Sequence, residues 1–304
     1  MRLIFMGTPD FAVPSLRMLR EAGHDVAAVV TAPDKKRGRG QKFSSTPVKA
    51  YAVGENIPVI EAENLKDPAF AEALRGYEAE CFVVVAFRIL PEAVFSIPTL
   101  GSFNLHASLL PKYRGAAPIN WALINGERES GVTTFFMKKK VDTGSVIAQE
   151  RVPIHEDMNA GELHDVLSVV GADVVLRTVA MIESGKVAAL PQDDSAATPA
   201  PKIFRETCAI DWTKSARQVH NHIRGLSPYP AAWTLLDERQ LQILRASIED
   251  EDSTGVHGSV RLVDGKLRVQ CGAGSVILHE IKPEGKKRMT VEDYLRGHSI
   301  PDRL

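Results

Sequence analysis

The 304-residue sequence lacks most of the features that would place it quickly in a functional class. It has three cysteines, Cys81, Cys208 and Cys271, scattered without a CxxC pair. That argues against a disulfide framework or a zinc ribbon and fits a reducing, cytoplasmic setting. No apolar run approaches the roughly 18 residues of a membrane span. The apolar stretch in the leading MRLIFMGTPDF is too short for a signal-peptide core, so no membrane partner is expected. Net charge is also nearly absent, with 37 Lys and Arg against 38 Asp and Glu, and so gives no global attraction to nucleic acid. Nucleotide fingerprints are missing as well. After RLIFM comes GTPDFAVPS, with one glycine where GxGxxG needs three, and no P-loop follows. This counts against a nicotinamide-dependent oxidoreductase. There is no GxSxG nucleophile elbow. His220 and His222 form an HxH, but at helical spacing they diverge, and His155 and His164 have no ligand-like acidic pattern, so no metal is expected.

What is present is a soluble globular composition, 44% hydrophobic and 25% charged with 22 Gly and 18 Pro, in a chain long enough for two domains. The first half repeats a rhythm of apolar run, turn and amphipathic stretch. RLIFMG, DVAAVVT, IPVIEA, ECFVVVAF, SFNLHAS and GVTTFFMKK read as strands; SLRMLREAG, PVKAYAVGEN, DPAFAEALRGY and PINWALINGE read as helices. That alternation predicts an α/β domain with a largely parallel sheet. NAGELHDVLSVVGADVVLRTVAMIESG has apolar residues at three- and four-residue spacing and closes the domain as one long helix. ALPQDDSAATPAPKIF then reads as an extended linker. Beyond it lie a helix, SARQVHNHIRGL, and five short strands, AAWTLL, LQILRASI, GSVRLVD, KLRVQC and SVILHEIK, which predict a small all-β barrel. The expected borders are 1–189 for the first domain, 190–207 for the linker and 208–304 for the second domain. Trp121 and Trp212 are expected in cores.

The neutral total hides two basic segments. PDKKRGRGQKF gathers Lys35, Lys36, Arg37, Arg39 and Lys42, and KPEGKKRM holds Lys286, Lys287 and Arg288. Each could be a solvated loop or a site that neutralises phosphates.

In SFNLHASLLPKYRGAAPINW, Asn104 and His106 are two residues apart on a strand and so share one side of the sheet, just where it runs into a turn. An amide and an imidazole there are able to donate hydrogen bonds to one oxygen, as a developing oxyanion in acyl transfer requires. The imidazole must then be cationic, or become so, which calls for a carboxylate, and Asp142 in KKKVDTGSV is the candidate. Taken alone, N-x-H also describes a satisfied polar pair, and Asp before Thr-Gly also describes a turn.

NLHASLLPKYRGAAPINWALINGE, with GVTTFF and VDTG following, resembles the folate-dependent formyltransferases. MGTPDFAVPSL, the GRG in TAPDKKRGRGQKF, PVK and IDWTKSARQVHNHIRGLSPYPAAWT extend the likeness over nearly the whole chain. The resemblance implies a Rossmann-like catalytic domain followed by an OB-like β-barrel. It also implies 10-formyltetrahydrofolate as formyl donor, with the α-amino group of methionyl initiator tRNA as acceptor, in translation initiation. It makes Asn104, His106 and Asp142 the catalytic trio and Ser108, Leu109, Leu110 and Pro111 the folate-binding segment. Arg39 would help recognise the acceptor end of the tRNA, with Lys35, Lys36, Arg37 and Lys42 beside it. Lys286, Lys287 and Arg288 would meet phosphates from the second domain. A monomer is expected. The chain departs from the resemblance at AFRILP, where Arg88 replaces a small glycine next to the expected folate pocket. A formyltransferase acting on a ribonucleotide amine would share the trio but would not need the linker, the β domain or the GRG loop, and one acting on a sugar amine would have no reason for basic clusters in both halves. A non-catalytic RNA-binding protein would keep the basic segments but have no use for the trio.

Overall fold

The computed structural model describes residues 1–37, 42–298 and 303–304. Eleven strands come first: β1 (Arg2–Gly7), β2 (Asp25–Thr31), β3 (Lys35–Arg37), β4 (Lys42–Ser44), β5 (Val59–Glu61), β6 (Cys81–Val85), β7 (Ser102–His106), β8 (Arg114–Gly115), β9 (Glu129–Phe136), β10 (Val146–Pro153) and β11 (Pro199–Ala200). Six follow: β12 (Ala232–Leu236), β13 (Arg239–Asp250), β14 (Val260–Val263), β15 (Lys266–Gln270), β16 (Ser275–Pro283) and β17 (Met289–Thr290). The helices are α1 (Val13–Glu21), α2 (Pro47–Gly54), α3 (Pro68–Arg75), α4 (Glu92–Phe95), α5 (Pro118–Ile124), α6 (Ala160–Glu183), α7 (Ala216–Leu226) and α8 (Val291–Leu295). Two compact units result, one of Met1–Gly115, Ser130–Val152 and His164–Pro199, the other of Ala116–Glu129, Pro153–Leu163 and Ala200–Leu304.

The first unit is built on a seven-stranded sheet in the order β10-β9-β7-β6-β1-β2-β5. Pairing is parallel from β5 through β2, β1 and β6 to β7, and turns antiparallel between β7 and β9. The near-continuous apolar runs are those of strands covered on both faces, and every residue of β6 is buried. One side of the sheet packs Ile4, Met6, Val30, Phe82 and Val84 against Phe70 and Leu74 of α3. Helix starts follow the sequence closely. Thr46 and Asp67 each cap a helix through the side chain and are followed by proline, which needs no intrahelical donor there. Chain order runs outward from β1 to β2 and β5, then crosses to β6 and β7. The switch in direction therefore falls between β1 and β6, at whose carboxyl ends α/β sheets place ligands, and β7 is the strand next to β6.

Two elements differ from the sequence expectation. The basic segment read as a loop contains a two-stranded ribbon, with Lys35 opposite Ser44, Lys36 opposite Phe43 and Arg37 opposite Lys42. Cations at every position of β3, and at the first of β4, hide the alternation that marks a strand. VIAQERVP, not singled out in the sequence, is β10, a half-exposed strand whose polar residues mask it.

The second unit is an antiparallel sheet in the order β12-β13-β16-β15-β14, with β17 added to β16. Its core gathers Trp212, Val219, Ile223, Ile243, Val269 and Val276. Trp212 is buried as expected and its Nε1 donates to Thr234 Oγ1 at 3.1 Å. Trp121 is instead half-buried, and its Nε1 donates to the Pro201 carbonyl at 2.7 Å. Helix α7 begins with a full capping box between Ser215 and Gln218.

Helix α7 also buries His220, which is 2% exposed. Burial pushes this imidazole below its ordinary value of 6.5, with the neighbouring Arg224 and Arg217 adding to that and Asp157 opposing it. The folded chain thus holds His220 neutral at a pH where the unfolded chain protonates it. Stability should be unaffected above about pH 6.5, fall as pH drops below that value, and level off below the folded pKa. Carboxylates such as Glu156, held below 4.5 chiefly by its hydrogen bond to Arg217, act only in a more acidic window. Thermal melting between pH 8 and 5.5 should therefore show a falling Tm whose slope His220→Gln reduces, the rest coming from histidines such as His222 that burial lowers in the same way. An identical slope in the variant would contradict this assignment.

Candidate active site

Strand β7 pairs Asn104 with Val84 of β6 on one side and with Phe135 of β9 on the other; His106 pairs with Thr133. The i, i+2 spacing puts Asn104 and His106 on one side of the sheet at its carboxyl edge. His106 is 6% exposed and Asn104 half-buried; among the described residues the Asn104 amide has no hydrogen-bond partner.

The imidazole geometry sets its protonation pattern. Nε2 lies 2.8 Å from the Tyr113 carbonyl oxygen, which is only able to accept, so Nε2 carries a proton. Nδ1 faces Asp142, 3.9 Å from Oδ2. In the neutral ring Nδ1 is a lone pair and a base; in the imidazolium it is a donor. At 3.9 Å the carboxylate is too far to take that proton as a hydrogen bond. It is near enough for its charge to act on the ring.

Asp142 is itself held in place. It adopts φ +54°, unusual for a residue with a side chain. Its Oδ2 accepts the Gly115 N–H at 2.9 Å, and its carbonyl accepts Gln192 Nε2 at 3.0 Å. A Cβ on Gly144 would collide with the Phe136 carbonyl, so the Thr-Gly after Asp142 lets the loop lie against β9.

The turn after β7 is equally constrained. Thr133, fully buried on β9, donates to the Ser108 carbonyl at 2.6 Å and accepts the Leu110 N–H at 3.1 Å and Gln149 Nε2 at 2.9 Å. Gln149 Nε2 also donates to the Leu110 carbonyl at 2.7 Å, and Ser108 Oγ to the Lys112 carbonyl at 2.6 Å. The Leu110–Pro111 peptide is cis. Ser108, Leu109, Leu110 and Pro111 thus form one fixed segment beside His106, with Leu109 left half-exposed. At the neighbouring strand end Arg88 donates to the Glu63 carbonyl at 3.0 Å and to that of Ala62. The residue that departs from the family pattern therefore ties the end of β6 to the segment after β5.

The other sequence-derived residues lie elsewhere. Lys35, Lys36, Arg37 and Lys42 are on the β3–β4 ribbon, and Arg39 lies outside the described residues. Lys286, Lys287 and Arg288 sit exposed on the turn between β16 and β17, where Arg288 pairs with Glu280 and Lys286 Nζ donates to His298 Nε2 at 3.0 Å. Burial pushes the Cys81 and Cys271 thiols up to about 12, so neither is a ready nucleophile. Among the described residues no group of three or more His, Cys, Asp or Glu is placed to hold a metal ion. No described helix is long and apolar enough to cross a membrane.

Comparison with known proteins gives the family. Residues 1–179 match the Formyl transferase family, and residues 202–299 match the Formyl transferase C-terminal domain. The chain belongs to the formyl transferase family. Among curated relatives, this formyltransferase is 48% identical to the methionyl-tRNA formyltransferase of Bacteroides thetaiotaomicron, over 99% of this chain and 97% of that one. It is 45% identical to the enzyme of the same name from Caldanaerobacter subterraneus, over 99% and 98% of the two chains. Among solved structures, an N-formyltransferase from Helicobacter canadensis, in complex with folinic acid and dTDP-3-aminofucose, superposes with a TM-score of 0.69 at 22% identity. That match covers 91% of this chain and 98% of the other, and it shows a shared fold.

Sequence reasoning missed Thr133, Gln149 and Gln192 in this formyltransferase. Thr133 lies within the quoted GVTTFF, but nothing there distinguishes it from Thr134, whose hydroxyl pairs with Thr178 instead. Replacing Thr133 by the isosteric Val leaves a buried N–H and a buried carbonyl without their partner. Thr133→Val should destabilise the chain by about 1–3 kcal/mol in urea unfolding and lower activity; an unchanged midpoint would mean the hydroxyl does not hold the turn.

Proposed function

We propose that this formyltransferase moves the formyl group of 10-formyltetrahydrofolate to the α-amino group of methionyl initiator tRNA, for translation initiation in the cytoplasm. The observation that carries the reading is the full-length similarity, near half of all positions, to relatives that are named methionyl-tRNA formyltransferases. In this reading residues 1–189 catalyse, 190–207 connect and 208–304 grip the tRNA, and the enzyme works as a monomer. The donor supplies an activated one-carbon unit at the oxidation level of formate.

Ser108, Leu109, Leu110 and Pro111 would hold it. Because the Ser108 hydroxyl and the Leu110 N–H and carbonyl are already bonded within the protein, the segment offers a fixed, largely apolar wall. The amine has an ordinary pKa near ~7.7–8.0, so a useful fraction is neutral at cellular pH, and alignment matters more than a strong base. Asn104 and His106 Nδ1–H would donate to the charge that develops on the formyl oxygen. Asp142 would stabilise the imidazolium from a distance that leaves the Nδ1 proton to the substrate. With Asp142 helping, a water would relay the amine's proton to N10 of the folate, so that tetrahydrofolate leaves as a neutral amine while Nδ1–H stays on the oxyanion. Arg39 and the ribbon cations Lys35, Lys36, Arg37 and Lys42 would meet the acceptor end, and Lys286, Lys287 and Arg288 would meet phosphates.

The test offers the purified protein 10-formyltetrahydrofolate with either methionyl initiator tRNA or glycinamide ribonucleotide. Formylation of the charged tRNA alone is expected; transfer only to the small amine would overturn the acceptor. His106→Ala should lose about 100-fold or more in turnover while still binding the tRNA. Turnover at the wild-type rate would remove His106 from the chemistry.

A further inference from the structure

Asp142 is the one member of the catalytic set whose backbone stands in the left-handed region, at φ +54°. A conformation of that kind costs on the order of 1–3 kcal/mol and persists only where its surroundings enforce it. Those surroundings form a closed ring of bonds. The carboxylate accepts the Gly115 N–H at 2.9 Å. Arg114, the residue before Gly115, sends Nε and Nη2 to Gln192 Oε1 at 3.1 and 2.7 Å. Gln192 Nε2 then donates to the carbonyls of Asp142 at 3.0 Å and Gly144 at 2.8 Å, which closes the ring on the residue where it began. Arg114 is anchored in turn by Asp194, 2.7 Å from Nη2, and its backbone N–H donates to the Thr198 carbonyl at 2.9 Å.

We infer that Arg114 and Gln192 are positioning residues for the formyl transfer: together they set the distance between the Asp142 carboxylate and His106 Nδ1. The inference rests on the catalytic trio proposed above. It makes the segment that composition marks as a linker part of the catalytic frame. Leu190 supports this, since it exchanges backbone hydrogen bonds with Val146 at the start of β10.

The chemistry of position 192 is specific. Its side chain must accept two guanidinium hydrogen bonds at one end and donate two to carbonyls at the other, which only an amide does. Glutamate has the same size and binds Arg114 at least as well, but it presents an acceptor to two carbonyl oxygens. The bond to Asp142 is then replaced by repulsion while the rest of the fold is kept. Methionine fills the space without bonding at either end.

Formylation kinetics separate the possibilities. Gln192→Glu should lower kcat by about 10–100-fold, the scale of a displacement near 1 Å at a reacting centre. KM for tRNA and folate should stay within about 2-fold, and any fall in melting temperature should be no larger than that of Gln192→Met. Gln192→Met should lower kcat similarly with some loss of stability. In an Asp142→Asn background the Gln192→Glu change should add less than about 2-fold, because both changes act through one carboxylate. A fully additive loss, or a normal kcat in Gln192→Glu, would overturn the positioning role. If Asp142→Asn alone keeps full activity, the catalytic trio fails instead, and the two failures are told apart.

Discussion

The hydroxyl of Thr133 is fully buried and spends its one proton and both lone-pair directions on the turn after β7 and on Gln149. That turn has to leave the sheet at a place where backbone polar groups are shut away from water, and an unpaired group there costs more than a bond gains. Strand β9 runs antiparallel to β7, with Thr133 directly opposite His106, so the hydroxyl that satisfies the turn stands next to the His106 ring. From this one pairing follow the path of Ser108 to Pro111 and the return of the chain at Tyr113. The Tyr113 carbonyl in turn decides which imidazole nitrogen holds the permanent proton.

The consequences for charge follow in order. With Nε2 committed to Tyr113, only Nδ1 is available to chemistry. A carboxylate in direct contact with Nδ1 would consume its proton. The Gly115 N–H draws Oδ2 to itself and leaves the carboxylate 3.9 Å from the ring. The field of the charge is kept while the donor stays free, which is the preorganised arrangement that oxyanion stabilisation requires. Desolvation strengthens this, because both side chains are largely buried.

Much of this was legible in the sequence where local rules apply. Period-two spacing was enough to put Asn104 and His106 on one side of a strand, and the continuous run CFVVV to predict a strand covered on both faces. DPAFAEALRGY and SARQVHNHIRGL read as helices and form α3 and α7, which Asp67 and Ser215 cap. What stayed hidden depends on tertiary register. Thr133 and Thr134 are neighbours on opposite faces of β9, and only the pairing with β7 decides which one meets the turn. Gln192 lies among Pro, Asp, Ser and Ala, a composition that reads as flexible chain, and its role comes from carbonyls fifty residues earlier. Charge hid the β3–β4 ribbon in the same way, because strand patterns rest on apolar alternation.

A chain with almost no net charge is an unexpected partner for a polyanion, and the second basic cluster looks weaker still, since Arg288 already pairs with Glu280. The pair is half-exposed, however, and an ion pair so open to water contributes only about 0–1 kcal/mol. A phosphate offers Arg288 a bidentate contact of at least equal quality and releases condensed counterions as it binds. Exchanging Glu280 for a phosphate therefore costs little, and Lys287 needs no exchange to add its charge. Acids farther away than a Debye length, roughly 8 Å at physiological salt, are largely screened and weigh little on such a patch. Local arrangement, not the total, sets what the proposed tRNA grip would feel.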